Sequence, residues 1–328
     1  PRNFTFEDYF TTNDSFLWNE DAKTIFSKTT EKPFIDLLVT SPPYNIGKSY
    51  EQKKPLADYF EEQREFLNTI DPYLKPNSSI CYQVGSYIPK DIGVYPLDFG
   101  FHRIFEEMGY KLVNRIIWTF GHGFHATKRL SGRHEVILWY VKGNEYTFNL
   151  DGMRRPSKYP RKTYYRGPKK GQISSNIKGK NASDLWDDIP HVVGNHVEKT
   201  DHPCQFPIAL PLRLIRGLTN KGDVVFDPYM GVGSAGAAAL MEDRKFIGAE
   251  IDTNYVKTAK KRMIAAKKGE LEYRHLSKSI FDHKKSNLSK ARKYNKAEID
   301  QFLKEKGMQD VDINTLYQMF LESGISDV

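Results

Sequence analysis

Apolar positions along this chain follow two periods, and the periods alternate. Ile35, Leu37, Leu38 and Val39 make a nearly unbroken run of strand length, rich in branched side chains, as a strand covered on both faces requires. Ser15 to Trp18, Ser79 to Val84, Lys111 to Thr119, Glu135 to Val141, Asp223 to Phe226 and Lys245 to Ala249 read as further strands. Between them lie helical spacings: a short one after Asn19-Glu20-Asp21 through Ile25, then Ala57 to Ile70, Phe101 to Met108, Ile208 to Leu218, Ser234 to Met241 and Val256 to Lys268. Leu74 to Ser78, with Pro76 at its centre, reads as a turn. Strands alternating with helices predict a doubly wound α/β sheet.

Two strand ends carry chemistry. The run at Val39 stops at Thr40-Ser41-Pro42-Pro43-Tyr44. Consecutive prolines cannot donate to a ladder and each restricts the residue before it, so the chain leaves the sheet in a stiff, extended corner. That corner holds a hydroxyl, two backbone carbonyls and an aromatic ring: acceptors beside a stacking surface, suited to a planar amine. An ordinary strand-ending Pro-Pro loop is the plainer reading. The other end is Asp227-Pro228-Tyr229-Met230-Gly231-Val232-Gly233, a loop between a strand and an alanine-rich helix in a βαβ unit. Gly231, Gly233 and Gly236 fit GxGxxG, which raises a nicotinamide-dependent oxidoreductase as one reading. A pyrophosphate has no use for a leading carboxylate, however, whereas Asp227 suits a ligand bearing a cationic ammonium or sulfonium.

Composition sharpens the picture at one place. From Arg154 to Gly171 the chain carries eight Lys or Arg side chains interleaved with Tyr159, Tyr164 and Tyr165 and broken by prolines. Cations with aromatic rings on an irregular scaffold suit phosphate contact and base stacking, although a charge run is also what a solvated face looks like. The formal net charge of +8 and pI near 9.1 lean the same way, towards a polyanionic partner. Residues 121–133, glycine-rich and basic, read either as a loop closing over a duplex or as a solvated connection; His122 and His125 belong to its polarity. Trp186, among acids, reads as an anchor returning the chain to the core. The two cysteines, Cys81 and Cys204, are far apart and make neither a disulfide framework nor a metal pattern, so no metal is expected. No apolar run approaches membrane-spanning length.

Ser41-Pro42-Pro43-Tyr44 resembles the (S/D/N)PP(Y/F) signature of the DNA amino-methyltransferases, which methylate N4 of cytosine or N6 of adenine. The Asp227 to Gly233 loop resembles that family's DPFxGxG loop for S-adenosylmethionine. Their order, acceptor motif first, basic segment next and cofactor loop last, is that of the permuted, beta-type members. The resemblance covers Ser15 to about Lys268. It implies a Rossmann-like class I methyltransferase fold, with a seven-stranded, mostly parallel sheet, an inserted target-recognition region and a helical C-terminal extension. It places the catalytic half at 1–143, target recognition at 144–200, the cofactor half at 201–268 and the extension at 269–328, where Ile299 to Lys306 and Ile313 to Leu321 have helical spacing. The resemblance further implies catalytic roles for Ser41, Pro42, Pro43 and Tyr44. Cofactor contacts are implied for Asp21, His202, Pro203, Asp227, Gly231, Gly233, Ser234 and Glu250. Asp21, taken alone, reads as a helix cap. DNA contacts are expected from Arg154, Arg155, Lys158, Tyr159, Arg161, Lys162, Tyr164, Tyr165 and Arg166.

The resemblance implies methyl transfer from S-adenosylmethionine to a base flipped out of double-stranded DNA, with cytosine N4 favoured by the serine and adenine N6 as the alternative. A homodimer, a separately encoded restriction endonuclease and a cytoplasmic location are the partners and place it implies. A catalytically silent DNA-binding protein and an enzyme acting on RNA are the remaining readings.

Overall fold

Neighbouring residues of the central strands face opposite ways, and both faces are apolar. Leu37, Val39, Cys81, Ile137, Trp139 and Val225 join one buried cluster; Leu38, Ile80, Tyr82, Leu138, Tyr140 and Phe226 join the other. A sheet with two apolar faces needs helices on both, which makes a three-layer α/β/α arrangement. The computed structural model describes residues 4–278, apart from 30, 49–50, 89–92 and 122–124, together with Gln301 and Lys304. Residues 4–278 belong to one unit. The helical spacings expected at Ile299 to Lys306 and Ile313 to Leu321 lie outside the described residues, save for Gln301 and Lys304, both helical.

The strands are β1 (Ser15–Trp18), β2 (Ile35–Thr40), β3 (Leu74–Val84), β4 (Ser86–Tyr87), β5 (Tyr95–Pro96), β6 (Lys111–Thr119), β7 (His134–Val141), β8 (Leu185–Trp186), β9 (Val224–Asp227) and β10 (Lys245–Ala249). The helices are α1 (Phe6–Tyr9), α2 (Leu56–Ile70), α3 (Leu97–Glu107), α4 (Leu150–Met153), α5 (Ala209–Leu218), α6 (Ser234–Met241) and α7 (Thr253–Lys268). The main sheet runs β1-β10-β9-β2-β3-β7-β6-β8, with β4 and β5 forming a separate ribbon. It contains the seven expected strands and one more, the two-residue β8, which pairs parallel to β6. Within this sheet, among the described residues, only the β3–β7 and β7–β6 pairs are antiparallel.

From β2 the chain crosses through α2 to β3 on one side; from β9 it crosses through α6 to β10 on the other. The strands β2 and β9 are parallel neighbours, with Leu37 opposite Val225 and Leu38 opposite Phe226. They flank the point where the winding reverses, and the crevice for ligands in such sheets opens at their carboxyl ends.

Three boundaries differ from the sequence reading. The turn expected at Leu74 to Ser78 is instead the start of β3: pairing with β2 passes from Ile35–Leu74 to Leu37–Ser79, so Pro76 and Asn77 are accommodated in an irregularity within the strand. Helix α3 begins at Leu97, four residues before the expected start. Its stripe of Leu97, Phe101, Ile104 and Phe105 is continuous, and Gly100, which reads as a break, lets the Phe60 ring lie against the helix where a Cβ would stand 2.1 Å from its Cζ. The segment after Asp21 is a 3-10 helix, Ala22–Lys28.

The region at 144–200 is mostly irregular, and buried polar contacts tie its end to the core. Trp186 is 1% exposed, and the Arg213 guanidinium lies 4.8 Å over its ring while donating to both oxygens of Asp188 at 3.0 and 2.6 Å. Trp118 Nε1 donates to the Ile189 carbonyl at 2.6 Å.

Candidate active site

The two motif-bearing strands end side by side, and one hydrogen bond joins them. Thr40 Oγ1, the last side chain of β2, donates to Asp227 Oδ1, the last of β9, at 2.6 Å. Above this junction opens a cleft of about 640 Å³. Ser41, Pro42, Pro43 and Tyr44 line it from the β2 side; Gly231, Ser234 and Glu250 line it from the β9–β10 side, with Asp21, His202 and Pro203. Asp227 and Gly233 lie just behind the wall, Asp227 fully buried. The motifs are nearly two hundred residues apart and share one pocket.

At the acceptor corner the hydrogen-bond directions can be worked out. The Tyr44 hydroxyl is 3.0 Å from Ser41 Oγ and donates to Glu135 Oε2 at 3.2 Å; Gln83 Nε2 donates to the same oxygen at 2.5 Å. A phenol has one hydrogen, and Tyr44 gives it to Glu135. Ser41 must then donate to the Tyr44 oxygen, which turns the lone pairs of Ser41 outward as acceptors. Of the two proline carbonyls, that of Pro43 accepts the Tyr59 hydroxyl at 2.7 Å, leaving that of Pro42 for a ligand. The Tyr44 ring packs on Gly85, where a Cβ would stand 3.0 Å from Cε2. Burial pushes the Tyr44 hydroxyl well above its ordinary pKa, helped by the neighbouring Glu135. Burial also raises the Glu135 carboxyl, against the bonds from Gln83 and Tyr44.

The glycine loop is built to let a ligand approach. Gly231 and Gly233 have φ of 50° and 75°, the left-handed region that a side chain disfavours, and a Cβ on Gly231 would stand 3.1 Å from His202 Nε2. Behind the loop, Arg262 of α7 donates to the Val232 carbonyl at 2.6 Å and to Ser234 Oγ at 3.2 Å. Glu250 ends β10 and accepts from the Gly231 and Asp252 amides at 3.1 and 2.8 Å. Asp21 has both roles that the sequence suggested as alternatives, since it caps its helix by accepting from the Lys23 amide at 2.8 Å and also lines the cleft. Burial, with Lys199 and Arg262 nearby, lowers the pKa of His202 to about 4, so its ring is neutral beside Tyr255.

Asp227 tests whether this loop fits the expected cofactor. Its Oδ1 accepts from Thr40 and from the Tyr229 amide, while Oδ2 is buried with no hydrogen-bond partner among the described residues. Burial raises its pKa to about 7. A carboxylate with one unmatched oxygen is stabilised by a cation, as the ammonium and sulfonium of S-adenosylmethionine provide, and is repelled by a pyrophosphate.

The basic tract is divided in two by its contacts. Arg154 pairs with Asp151 at 2.6 Å and donates to Asn181, and Arg155 pairs with Asp187 at 2.5 Å and Asp188 at 2.9 Å; both side chains are largely enclosed. These two expected DNA contacts therefore hold the region together, because acids brought from 151 and 187–188 neutralise them locally. Lys158, Tyr159, Arg161, Lys162, Tyr164, Tyr165 and Arg166 are exposed. They lie on a hairpin-like excursion closed by the Arg155–Lys180 and Thr163–Ile173 bridges. None of them lines the cleft. Sequence reading missed Glu135, Gln83, Thr40 and Arg262. Glu135 and Gln83 looked like ordinary strand residues, and only an acid at the end of an apolar strand hinted otherwise.

An α/β sheet with a methyl-donor loop and an amine-accepting corner at its switch point defines a class I methyltransferase whose cofactor is S-adenosylmethionine. The chain belongs to the DNA methylase family of N6 and N4 amino-methyltransferases, which matches residues 35–261. That assignment sets aside the oxidoreductase reading. Type II methyltransferase M.BglII of Bacillus subtilis is 44% identical over 225 residues, 69% of this chain and 62% of the relative, so the chain spans less than two thirds of that protein's length. DNA adenine methyltransferase YhdJ of Escherichia coli (strain K12) is 30% identical over 278 residues, covering 82% of this chain and 89% of the relative. The solved structure of a DNA modification methylase from Thermus thermophilus, complexed with S-adenosyl-L-methionine, superposes with a TM-score of 0.55 at 26% identity, covering 78% of this chain and 97% of the other. Among the described residues no helix is long and apolar enough to cross a membrane.

Proposed function

We propose that this enzyme methylates the exocyclic N4 of a cytosine flipped out of double-stranded DNA. The observation that carries the reading is the joined pair of strand ends: an uncharged hydroxyl corner at Ser41 and a carboxylate-led glycine loop at Asp227, opening into one cleft. The amine is a poor nucleophile because its lone pair is delocalised into the ring, and it is inaccessible in a stacked duplex. Acceptors for both of its hydrogens favour the pyramidal form that attacks, and they act most strongly as charge develops on nitrogen. Ser41 Oγ and the Pro42 carbonyl supply them, with Glu135 fixing the direction of Ser41 through Tyr44. Tyr44 and Pro43 form the wall against which the base rests. The bound S-adenosylmethionine supplies the electrophilic methyl group. Asp227, Gly231, Gly233, Ser234 and Glu250 hold it, with Asp21, His202 and Pro203 at the rim, so positioning does most of the work. The exposed basic excursion, Lys158 to Arg166, contacts phosphates and reads the site within 144–200.

Adenine N6 is the second reading, favoured by the relationship to an adenine methyltransferase. The serine at the head of the corner supports cytosine, since aspartate is the usual residue there in adenine enzymes. Ser41 uses its hydrogen on Tyr44, so it reads the amine as an acceptor and a ring-nitrogen donor must come from elsewhere in the cleft. The same proposal takes in a homodimer, a cognate restriction endonuclease and a cytoplasmic site of action. Expression in a methylation-free host followed by modification-detecting sequencing tests it. N4-methylcytosine at one short sequence is the expected result; N6-methyladenine would select the second reading, and unmodified DNA would overturn both.

A further inference from the structure

Of the large hydrophobic side chains among the described residues, two are more than nine-tenths exposed: Ile177 at 99% and Leu130 at 94%. Ile177 lies on the basic excursion. Leu130 stands at the mouth of the cleft. Strands β6 and β7 pair Trp118 with Glu135, and both of these residues line the cleft; residues 120–133 are the connection between them. Leu130 therefore rises from the rim next to the Glu135–Tyr44–Ser41 corner.

Its surroundings are those of a nucleic-acid contact. From 125 to 133 the segment contains Lys128, Arg129 and Arg133 and no acid. The turn that presents Leu130 is closed by the Ala126 amide donating to Ser131 Oγ at 3.0 Å, and the ends of the connection are closed by the Phe120 amide donating to the Arg133 carbonyl at 3.0 Å. The Arg129 guanidinium folds back on the Leu130 carbonyl at 3.1 Å. An apolar tip held out by a closed turn among cations is stabilised neither by burial nor by solvation. It becomes favourable when it enters a base stack while its neighbours meet phosphates.

We propose that Leu130 is a wedge that enters the DNA stack beside the target base and holds open the gap the base leaves. This rests on the reading of the cleft as a site for a flipped base. Extrusion costs a few kcal/mol of pairing and stacking, least for a base already unpaired. A side chain that fills the gap stabilises the extruded state and leaves the chemistry in the cleft unchanged.

The test uses the full chain, S-adenosylmethionine and two oligonucleotide duplexes carrying the methylated sequence found by genome sequencing. One duplex is fully paired; the other has an abasic site opposite the target base. Leu130→Ala is expected to lower kcat/KM on the paired duplex by about tenfold or more and to be within about twofold of wild type on the abasic one, because extrusion there is nearly free. Leu130→Phe, which keeps an apolar wedge, is expected to retain activity on both. Unchanged activity of Leu130→Ala on the paired duplex would overturn the wedge, as would an equal loss on both duplexes or a loss accompanied by dissociation of a dimer on gel filtration. A wild-type enzyme inactive on both duplexes would instead overturn the reading of the cleft itself.

Discussion

Thr40 and Asp227, 187 positions apart, share a hydrogen bond of 2.6 Å in the fully buried floor between the two halves of the site. Thr40 closes the strand that delivers the amine-accepting corner; Asp227 closes the strand that delivers the cofactor loop. Any change in the charge on Asp227 is therefore felt at the residue preceding Ser41. Thr40→Val keeps the shape and removes the donor, leaving Asp227 Oδ1 with the Tyr229 amide alone. The expected loss is about 1–3 kcal/mol of stability or of cofactor affinity. Denaturant titration with and without S-adenosylmethionine separates the two shares.

Cofactor binding should itself release a proton. Burial raises Asp227 to a pKa of about 7 in the free enzyme, and a cationic ligand favours its ionised form. Affinity for S-adenosylmethionine is expected to rise with pH, by up to about tenfold per unit below pH 7, and to level off above it. Calorimetry in two buffers of different ionisation enthalpy measures the released proton directly. Asp227→Asn is expected to bind more weakly and without this pH dependence.

Glu135 sets the polarity of the corner, so Glu135→Gln should damage the chemistry more than the fold. The new carboxamide can accept from Gln83 with its oxygen and turn its NH2 to Tyr44. Tyr44 then donates to Ser41, and the Ser41 hydrogen faces the incoming amine. We expect kcat to fall on the order of 10²-fold, with little change in cofactor affinity. In the wild type the carboxylate form is lost as pH falls through the raised pKa of Glu135, so kcat declines on the acid side; the variant should lack that limb.

The two parts of the basic tract should respond differently to charge removal. Replacing Arg161, Lys162 and Arg166 together with alanine removes exposed cations. The slope of log affinity for duplex DNA against log salt should shrink by about 0.9 for each phosphate no longer neutralised, with thermal stability unchanged. Arg155→Ala instead removes the partner of Asp187 and Asp188 and should destabilise the region.

Arg213→Ala is the sharpest stability test. It leaves Asp188 with part of its charge uncompensated and takes the guanidinium off the Trp186 ring. Losing one partner of a buried pair costs about 3–5 kcal/mol, measurable by urea denaturation. The anchoring of Trp186 was legible as an isolated aromatic among acids; the arginine beneath it was not, because its helix position looked like an ordinary polar face.

The sequence by itself determined the alternation of strands and helices, since burial on both faces of a sheet imposes continuous apolar runs and short turns. It also determined the two corners, because consecutive prolines, and glycines behind an aspartate, restrict the backbone whatever surrounds them. It did not determine which strands lie together: pairing of β2 with β9 depends on the direction in which each crossover winds, and no local pattern records that. Tertiary structure alone turned Glu135 and Gln83 from strand residues into the support of Tyr44, withdrew Arg154 and Arg155 from the expected DNA surface by meeting them with acids, and gave Asp21 both a cap and a place in the cleft. Charge and hydrogen-bond direction are properties of neighbours in space, and the neighbours that decide this site come from segments far apart along the chain.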